Sequence, residues 1–196
     1  MDLPDGDVRF FDDCFSAEEN QNLFPRLRDE IRWTQEKIRI YGRDVDLPRL
    51  TAWYGDAGAS YSYSGITHAP HPWTELLLLI KKRVEARAGE SFNSVLLNFY
   101  RSGSDGVAWH SDDEPELGPD PVIASASFGA VRTFQLKHKF RKDLKRVALE
   151  LTGGSLLIMR GPTQKNWLHQ VPKTAKNVPP RINLTFRTIR PLIRRA

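Results

Sequence analysis

From residue 92 onward the chain breaks into short segments that are apolar or alternate apolar with polar: 94–100, 122–128, 131–138, 147–151, 155–159 and 181–188. Gly, Pro or Asp bounds these segments, and all read as strands, as does 167–171. Two helical patterns precede them. Ser16-Ala-Glu-Glu19 is a capping box that opens a helix through about residue 32. Residues 73–88 set Leu76, Leu77, Ile80 and Val84 along one helical stripe. Between the helices, residues 33–41 read as a strand and Gly42-Arg-Asp as a tight hairpin turn. Helices first and many short strands after predict an α+β fold, with N-terminal helices buttressing a two-sheet β-sandwich or jelly roll. No repeat and no linker divides the chain, so residues 1–196 are expected to form one domain.

Composition narrows the class. The chain of 196 residues is long enough for a substantial core, and 40% hydrophobic with 27% charged residues is ordinary for a globular protein. Its net charge of +5 permits a polyanionic partner without requiring one. A single cysteine, Cys14, excludes a disulfide within the chain and a cysteine-built zinc site. It fits a reducing compartment. Acids stand in the N-terminal stretch where a secretory signal would carry basic and then apolar residues. The longest apolar run, 76–80, is far too short to span a bilayer. The expectation is a cytoplasmic protein, nuclear in a eukaryote, monomeric and without a membrane partner.

Two constellations carry chemistry. His110-Ser111-Asp112 offers an imidazole and a carboxylate at i and i+2, and His169 follows within a strand. Two imidazoles and a carboxylate can take one face of an Fe(II) octahedron and leave three positions open. Alone, an H-x-D triplet is more often a solvated loop. Downstream, Arg181-Ile-Asn183-Leu-Thr185-Phe-Arg187 places four polar side chains on one strand face and three apolar ones on the other. Two arginines with two hydrogen-bonding partners describe a polar cavity able to grip a dicarboxylate, because a guanidinium pairs with a carboxylate bidentately. A solvent-facing sheet surface is the plain alternative. Asn98-Phe-Tyr100 adds an amide and a phenol on one face, which can hydrogen-bond a carboxylate or keto acid.

Together N-x-Y, H-x-D, a distal His and R-x-N-x-T-x-R resemble the AlkB family of Fe(II)- and 2-oxoglutarate-dependent dioxygenases, over about residues 41–189. Tyr54-Gly-Asp-Ala-Gly58, Tyr61-Ser-Tyr63-Ser-Gly65, His110-Ser-Asp112-Asp-Glu114 and Ala124-Ser-Ala-Ser-Phe-Gly129 look closest to the animal branch that repairs alkylated duplex DNA. The resemblance implies a double-stranded β-helix, with the catalytic jelly roll at about 92–190 and a substrate-recognition lid at about 33–70. It implies His110, Asp112 and His169 as iron ligands. Arg181 with Tyr100 would hold the distal carboxylate of 2-oxoglutarate. Arg187 and Asn98 would hold the carboxylate beside the keto group, supported by Asn183 and Thr185. Tyr61, Tyr63, Arg49, Asp113 and Glu114 would meet a flipped, cationic base, and Tyr41 would be a wedge filling the gap in the stack.

The implied activity is oxidative demethylation of 1-methyladenine and 3-methylcytosine in DNA. Dioxygen is consumed, and formaldehyde and succinate are released. The basic stretch Lys137, Lys139, Arg141, Lys142, Lys145 and Arg146 would meet phosphates, as would Lys173 and Lys176. Two rivals stay open: an RNA or tRNA demethylase of the same family, and a nucleic-acid-binding jelly roll without turnover. The Tyr41 hairpin favours duplex DNA.

Overall fold

A computed structural model describes residues 2–40, 42–59, 61–63 and 66–190. In chain order the elements are β1 (Asp2–Leu3), β2 (Gly6–Phe11), α1 (Ala17–Glu30), β3 (Lys37–Ile40), β4 (Arg43–Asp46), β5 (Leu50–Gly55), β6 (Tyr61–Tyr63), β7 (Ile66–His68), α2 (Glu75–Ala88), β8 (Ser94–Tyr100), β9 (Val107–His110), β10 (Ile123–Gly129), β11 (Arg132–His138), β12 (Val147–Leu151), β13 (Leu156–Arg160), α3 (Thr163–Asn166), β14 (Trp167–Val171) and β15 (Arg181–Arg187). A seven-stranded sheet runs β1-β2-β13-β10-β15-β8-β5, and a four-stranded sheet runs β12-β11-β14-β9. All their ladders are antiparallel.

Local chemistry sets the helix ends. Ser16 closes its capping box on α1: its Oγ accepts from the Glu19 N–H at 3.1 Å, and the Glu19 carboxylate accepts from the Ser16 N–H at 2.8 Å. Thr74 caps α2, which ends at Gly89 in the left-handed region with φ +65°. Leu76, Leu77, Ile80 and Val84 are all buried, as the stripe required.

Two apolar layers result. One joins α1 and α2 to the outer face of the seven-stranded sheet, through Leu27, Leu77, Ile80, Phe128, Leu184 and Phe186. The other lies between the sheets, where Ile123, Leu157 and Met159 face Phe134, Leu136 and Trp167. Burying two faces of the central sheet requires β15 to divide its side chains. Ile182, Leu184 and Phe186 belong to the helix layer. Their neighbours Arg181, Asn183 and Thr185 must therefore face the four-stranded sheet. They are buried there, which rules out a solvent-facing surface.

Three features depart from the sequence reading. The N-terminal β2 adds to the large sheet by pairing with β13, although the acid-rich start gave no alternating signal. β5, which no strand signal had marked within the stretch 33–70, joins the other side of the sheet through β8. The β3–β4 hairpin is shorter than expected: its strands pair from Lys37↔Asp46 to Ile40↔Arg43, so the strand resumes at Arg43, inside the expected turn. Gly42 takes φ +77° there, a conformation glycine adopts without penalty. Tyr41 lies outside the described residues.

Phe186 stacks with Trp73 at 6.4 Å between ring centroids and meets Phe92 at 6.0 Å. Phe186→Ala should cost about 3–5 kcal/mol of unfolding free energy. Urea denaturation followed by circular dichroism would check this; a loss under about 1 kcal/mol would mean that the helix layer does not depend on this face of β15.

Candidate metal centre

β14 and β9 pair so that His169 stands directly opposite His110. The imidazole centroids are 4.2 Å apart with an interplanar angle of 60°. Asp112 sits two residues beyond the end of β9, in the following loop, and its carboxylate reaches 3.7 Å from His169 Nε2. Strand alternation thus does not place Asp112 beside His110; the loop does. One ligand atom from each of His110, Asp112 and His169 lies within 4.8 Å of the others, the only such His/Cys/Asp/Glu group among the described residues.

The protonation states suit a divalent cation. The Nδ1 of His110 lies 2.8 Å from the Ala108 carbonyl, which can only accept, so Nδ1 donates there and Nε2 is the nitrogen left for a metal. Burial pushes the His169 imidazole down to about 4, hence neutral and able to ligate at physiological pH. For Asp112, burial would raise the carboxyl, but the Arg187 guanidinium, through its charge and its hydrogen bond, outweighs that and holds it below the usual carboxylate range. With His169 neutral, Arg187 is its standing partner, donating to Oδ1 at 2.6 Å.

Beside the triad lies a polar cradle across three strands of the large sheet. Arg181 is 1% exposed. Its guanidinium lies 5.2 Å from the Tyr100 ring centroid and donates to Ser127 Oγ at 2.9 Å. Its Nε and Nη1 are buried with no hydrogen-bond partner, and burial pulls its pKa down to about 10. A buried guanidinium with open donors and no carboxylate partner fits an anionic co-substrate. Asn183 donates to Ser125 Oγ at 2.7 Å and accepts from Thr185 at 3.0 Å, so these two brace the floor. Asn98 accepts from Arg49 Nε at 2.6 Å, and Arg187 keeps a buried, unpartnered Nε. Ser125 and Ser127 carried no role in the sequence reading; their i, i+2 spacing on β10 was the available signal.

The remaining candidates spread outward. Burial pushes the Glu114 carboxyl up, and its Oε2 has no partner. Asp113 is held below the usual range: burial alone would raise it, but hydrogen bonds from Lys139 and Ser111 prevail. Tyr61 and Tyr63 lie on β6, paired with His68 and Ile66; their side chains lie outside the described residues. Lys137 sits 4.4 Å from the Trp109 ring centroid, and Arg141 pairs with Asp143. Lys142, Lys173 and Lys176 are exposed. A separate open cleft of about 710 Å³, lined by Glu85, Glu90, Phe92, Asp120 and Arg190, shares no residue with the site.

Residues 7–187 match the 2OG-Fe(II) oxygenase superfamily. The chain belongs to that family. Within it, the chain is 50% identical to the human alpha-ketoglutarate-dependent dioxygenase alkB homolog 3, over 86% of this chain and 61% of that protein. It is 41% identical to the human DNA oxidative demethylase ALKBH2, over 89% of this chain and 70% of that protein. It spans about three fifths of the length of the alkB homolog 3 relatives, 59–63%. The solved structure of OsALKBH1 superposes with a TM-score of 0.66 at 18% identity, covering 92% of this chain and 96% of that one, which supports the fold alone. The His-Asp-His arrangement fits the iron triad of the oxygenase family. Among the described residues no helix is long and apolar enough to cross a membrane.

His169 gives a testable pH dependence. Its pKa is about 4 in the fold against 6.5 for an ordinary imidazole, so between those values the unfolded chain binds a proton that the folded chain does not. The metal-free protein should therefore lose stability as pH falls through this window, by up to about 1.4 kcal/mol per unit. Thermal unfolding in chelator from pH 4 to pH 7 should show a shallower slope in His169→Asn; identical slopes would contradict a neutral His169.

Proposed function

We propose that this oxygenase is an AlkB-type repair enzyme that oxidatively demethylates N-methylated bases, 1-methyladenine and 3-methylcytosine, in DNA. The observation that carries the reading is the juxtaposition of the His110–Asp112–His169 triad with a buried arginine cradle on the facing sheet. The reading treats the chain as one catalytic domain with a recognition lid at about 33–70. The name of ALKBH2, a DNA oxidative demethylase, supports a DNA substrate.

His110, Asp112 and His169 would hold Fe(II). Arg181 with Tyr100 would hold the far carboxylate of 2-oxoglutarate, and Arg187 with Asn98 would orient the near one. Bound together, iron, 2-oxoglutarate and dioxygen supply the oxidising power to hydroxylate an N-methyl carbon, with succinate and carbon dioxide as by-products. The protein's own work is placement and exclusion of water. Phe134, Val171 and Met159 line the pocket with the triad and keep it apolar on one side. The hydroxymethyl adduct then sheds formaldehyde and leaves the repaired base.

A base inside a duplex cannot reach this depth, so it must be flipped out, at a cost of a few kcal/mol that a damaged pair lowers. Asp113 and Glu114, beside the triad, would favour a cationic methylated base over the neutral one. Exposed Arg141, Lys142, Lys173 and Lys176 are available to phosphates. The preference for duplex rests on the β3–β4 hairpin, whose ladder closes at Ile40 and Arg43 on either side of position 41.

Mass spectrometry of a methylated panel in duplex DNA, single-stranded DNA and RNA, with and without 2-oxoglutarate, tests the reading. Turnover on RNA alone would replace it with the RNA-demethylase alternative. No turnover, with no charge-transfer absorption on anaerobic addition of Fe(II) and 2-oxoglutarate, would leave only a binding protein. Asp112→Ala should abolish formaldehyde release. Arg181→Ala should raise the 2-oxoglutarate KM roughly 10- to 100-fold, the loss of a charge-assisted pair, while leaving DNA affinity nearly unchanged; an unchanged KM would remove Arg181 from the cradle.

A further inference from the structure

The two acids Asp112 and Asp113 lie in the loop after β9, outside any strand ladder. A metal ligand on a loop needs its backbone held, because small misplacements cost metal affinity and turnover. That hold comes from the turn just before His169. Gln164, in α3, is 1% exposed, and its Oε1 accepts the Asp112 backbone N–H at 2.9 Å. The partner is a donor, so the amide's orientation is fixed; its nitrogen points at Met159 Sδ, 3.4 Å away. The Gln164 carbonyl accepts from Lys139 Nζ at 2.8 Å, and the same ammonium donates to Asp113 Oδ2 at 3.0 Å. The Lys139 backbone N–H in turn donates to the Asn166 carbonyl at 2.7 Å.

Lys139 belongs to the basic stretch, yet its side chain is only 17% exposed and its ammonium is committed to a carboxylate and a carbonyl. It differs in this from Lys142, Lys173 and Lys176, which are exposed.

We propose that Gln164 and Lys139 are positioning residues for the Asp112–Asp113 pair: Gln164 fixes the backbone of the triad acid, and Lys139 orients the carboxylate of its more exposed neighbour Asp113 and does not meet phosphate. The strap joins the ligand loop to the turn that launches β14, so both halves of the triad share one frame. Lys139 bears on which base is accepted, and that half rests on the demethylase reading above; Gln164 bears on the metal alone.

The test separates the halves. Gln164→Leu keeps the shape and removes the acceptor. Mn(II) binding, followed by the electron paramagnetic resonance signal of free Mn(II), should weaken about 10- to 100-fold. Gln164→Glu, which retains an acceptor for the Asp112 N–H, should restore most of it. Wild-type Mn(II) affinity in Gln164→Leu overturns the Gln164 assignment.

Lys139→Met should leave Mn(II) affinity unchanged and lower the preference for a 1-methyladenine oligonucleotide over its unmethylated twin several-fold. The salt dependence of unmethylated DNA binding should stay the same. A salt slope reduced by about one, with equal loss on both oligonucleotides, would make Lys139 a phosphate contact and overturn its assignment. No change on either oligonucleotide would overturn it as well. If the wild-type protein shows no preference for the methylated oligonucleotide, the demethylase reading fails, and the Mn(II) measurement still decides Gln164.

Discussion

β15 does two jobs that cannot be separated. It lies inside the large sheet, between β10 and β8, with one face in the helix core and the other in the gap between the sheets. A register shift of one residue would drive Arg181, Asn183, Thr185 and Arg187 into the helix layer and expose Leu184 and Phe186 to the polar cradle. The helix core therefore fixes the register that the cradle needs. The same ladders aim the partners: Arg181 stands opposite Tyr100, and Asn183 opposite Asn98.

Charge burial in this gap is costly, and it is only partly compensated by the chain itself. Asp112 is paired with Arg187 at 2.6 Å, although the Arg187 Nε stays without a partner. Arg181 is different, because Ser127 and the Tyr100 ring are neutral partners for a guanidinium that is almost wholly removed from water. Arg132 lies over the same tyrosine at 5.6 Å but spends its donors on the carbonyls of Ser102, Asp105 and Pro172. One arginine is thus a structural clamp and the other keeps open donors. That contrast, in a shared environment, supports the proposal that Arg181 binds an anionic ligand.

How much of this was legible in the sequence follows from how local each signal is. The capping box at Ser16, the stripe on α2 and the alternation of β15 are short-range patterns, and all three are present. The triad was legible from residue type and motif, although its geometry was not. His110 and His169 meet through a ladder between strands far apart in sequence, and Asp112 arrives by a loop. β2 was missed because its pairing with β13 is a long-range choice that no local pattern announces. Lys139 shows the limit most clearly. In sequence it is one member of a basic run; only the fold turns it inward onto Asp113 and Gln164. Charge composition names the class of partner, but burial decides which cations are free to meet it.

The β3–β4 hairpin and the arginine cradle are not independent parts. Arg49 sits just before β5, on the connection from the β3–β4 hairpin, and its guanidinium donates to Asn98 in the cradle at 2.6 Å. The same connection is held from behind: the Gly106 N–H donates to the Pro48 carbonyl at 2.9 Å. Gly106 also lies so close to β14 that a Cβ would come within 2.6 Å of the Val171 carbonyl, which leaves room for glycine alone. Movement of the hairpin toward a nucleic acid would therefore pull on Asn98 through Arg49. A cradle filled by its co-substrate would hold Asn98, and with it the root of the hairpin, in one place. Under the proposed function, substrate recognition and co-substrate binding would share the Arg49–Asn98 hydrogen bond, which would favour co-substrate binding before nucleic acid.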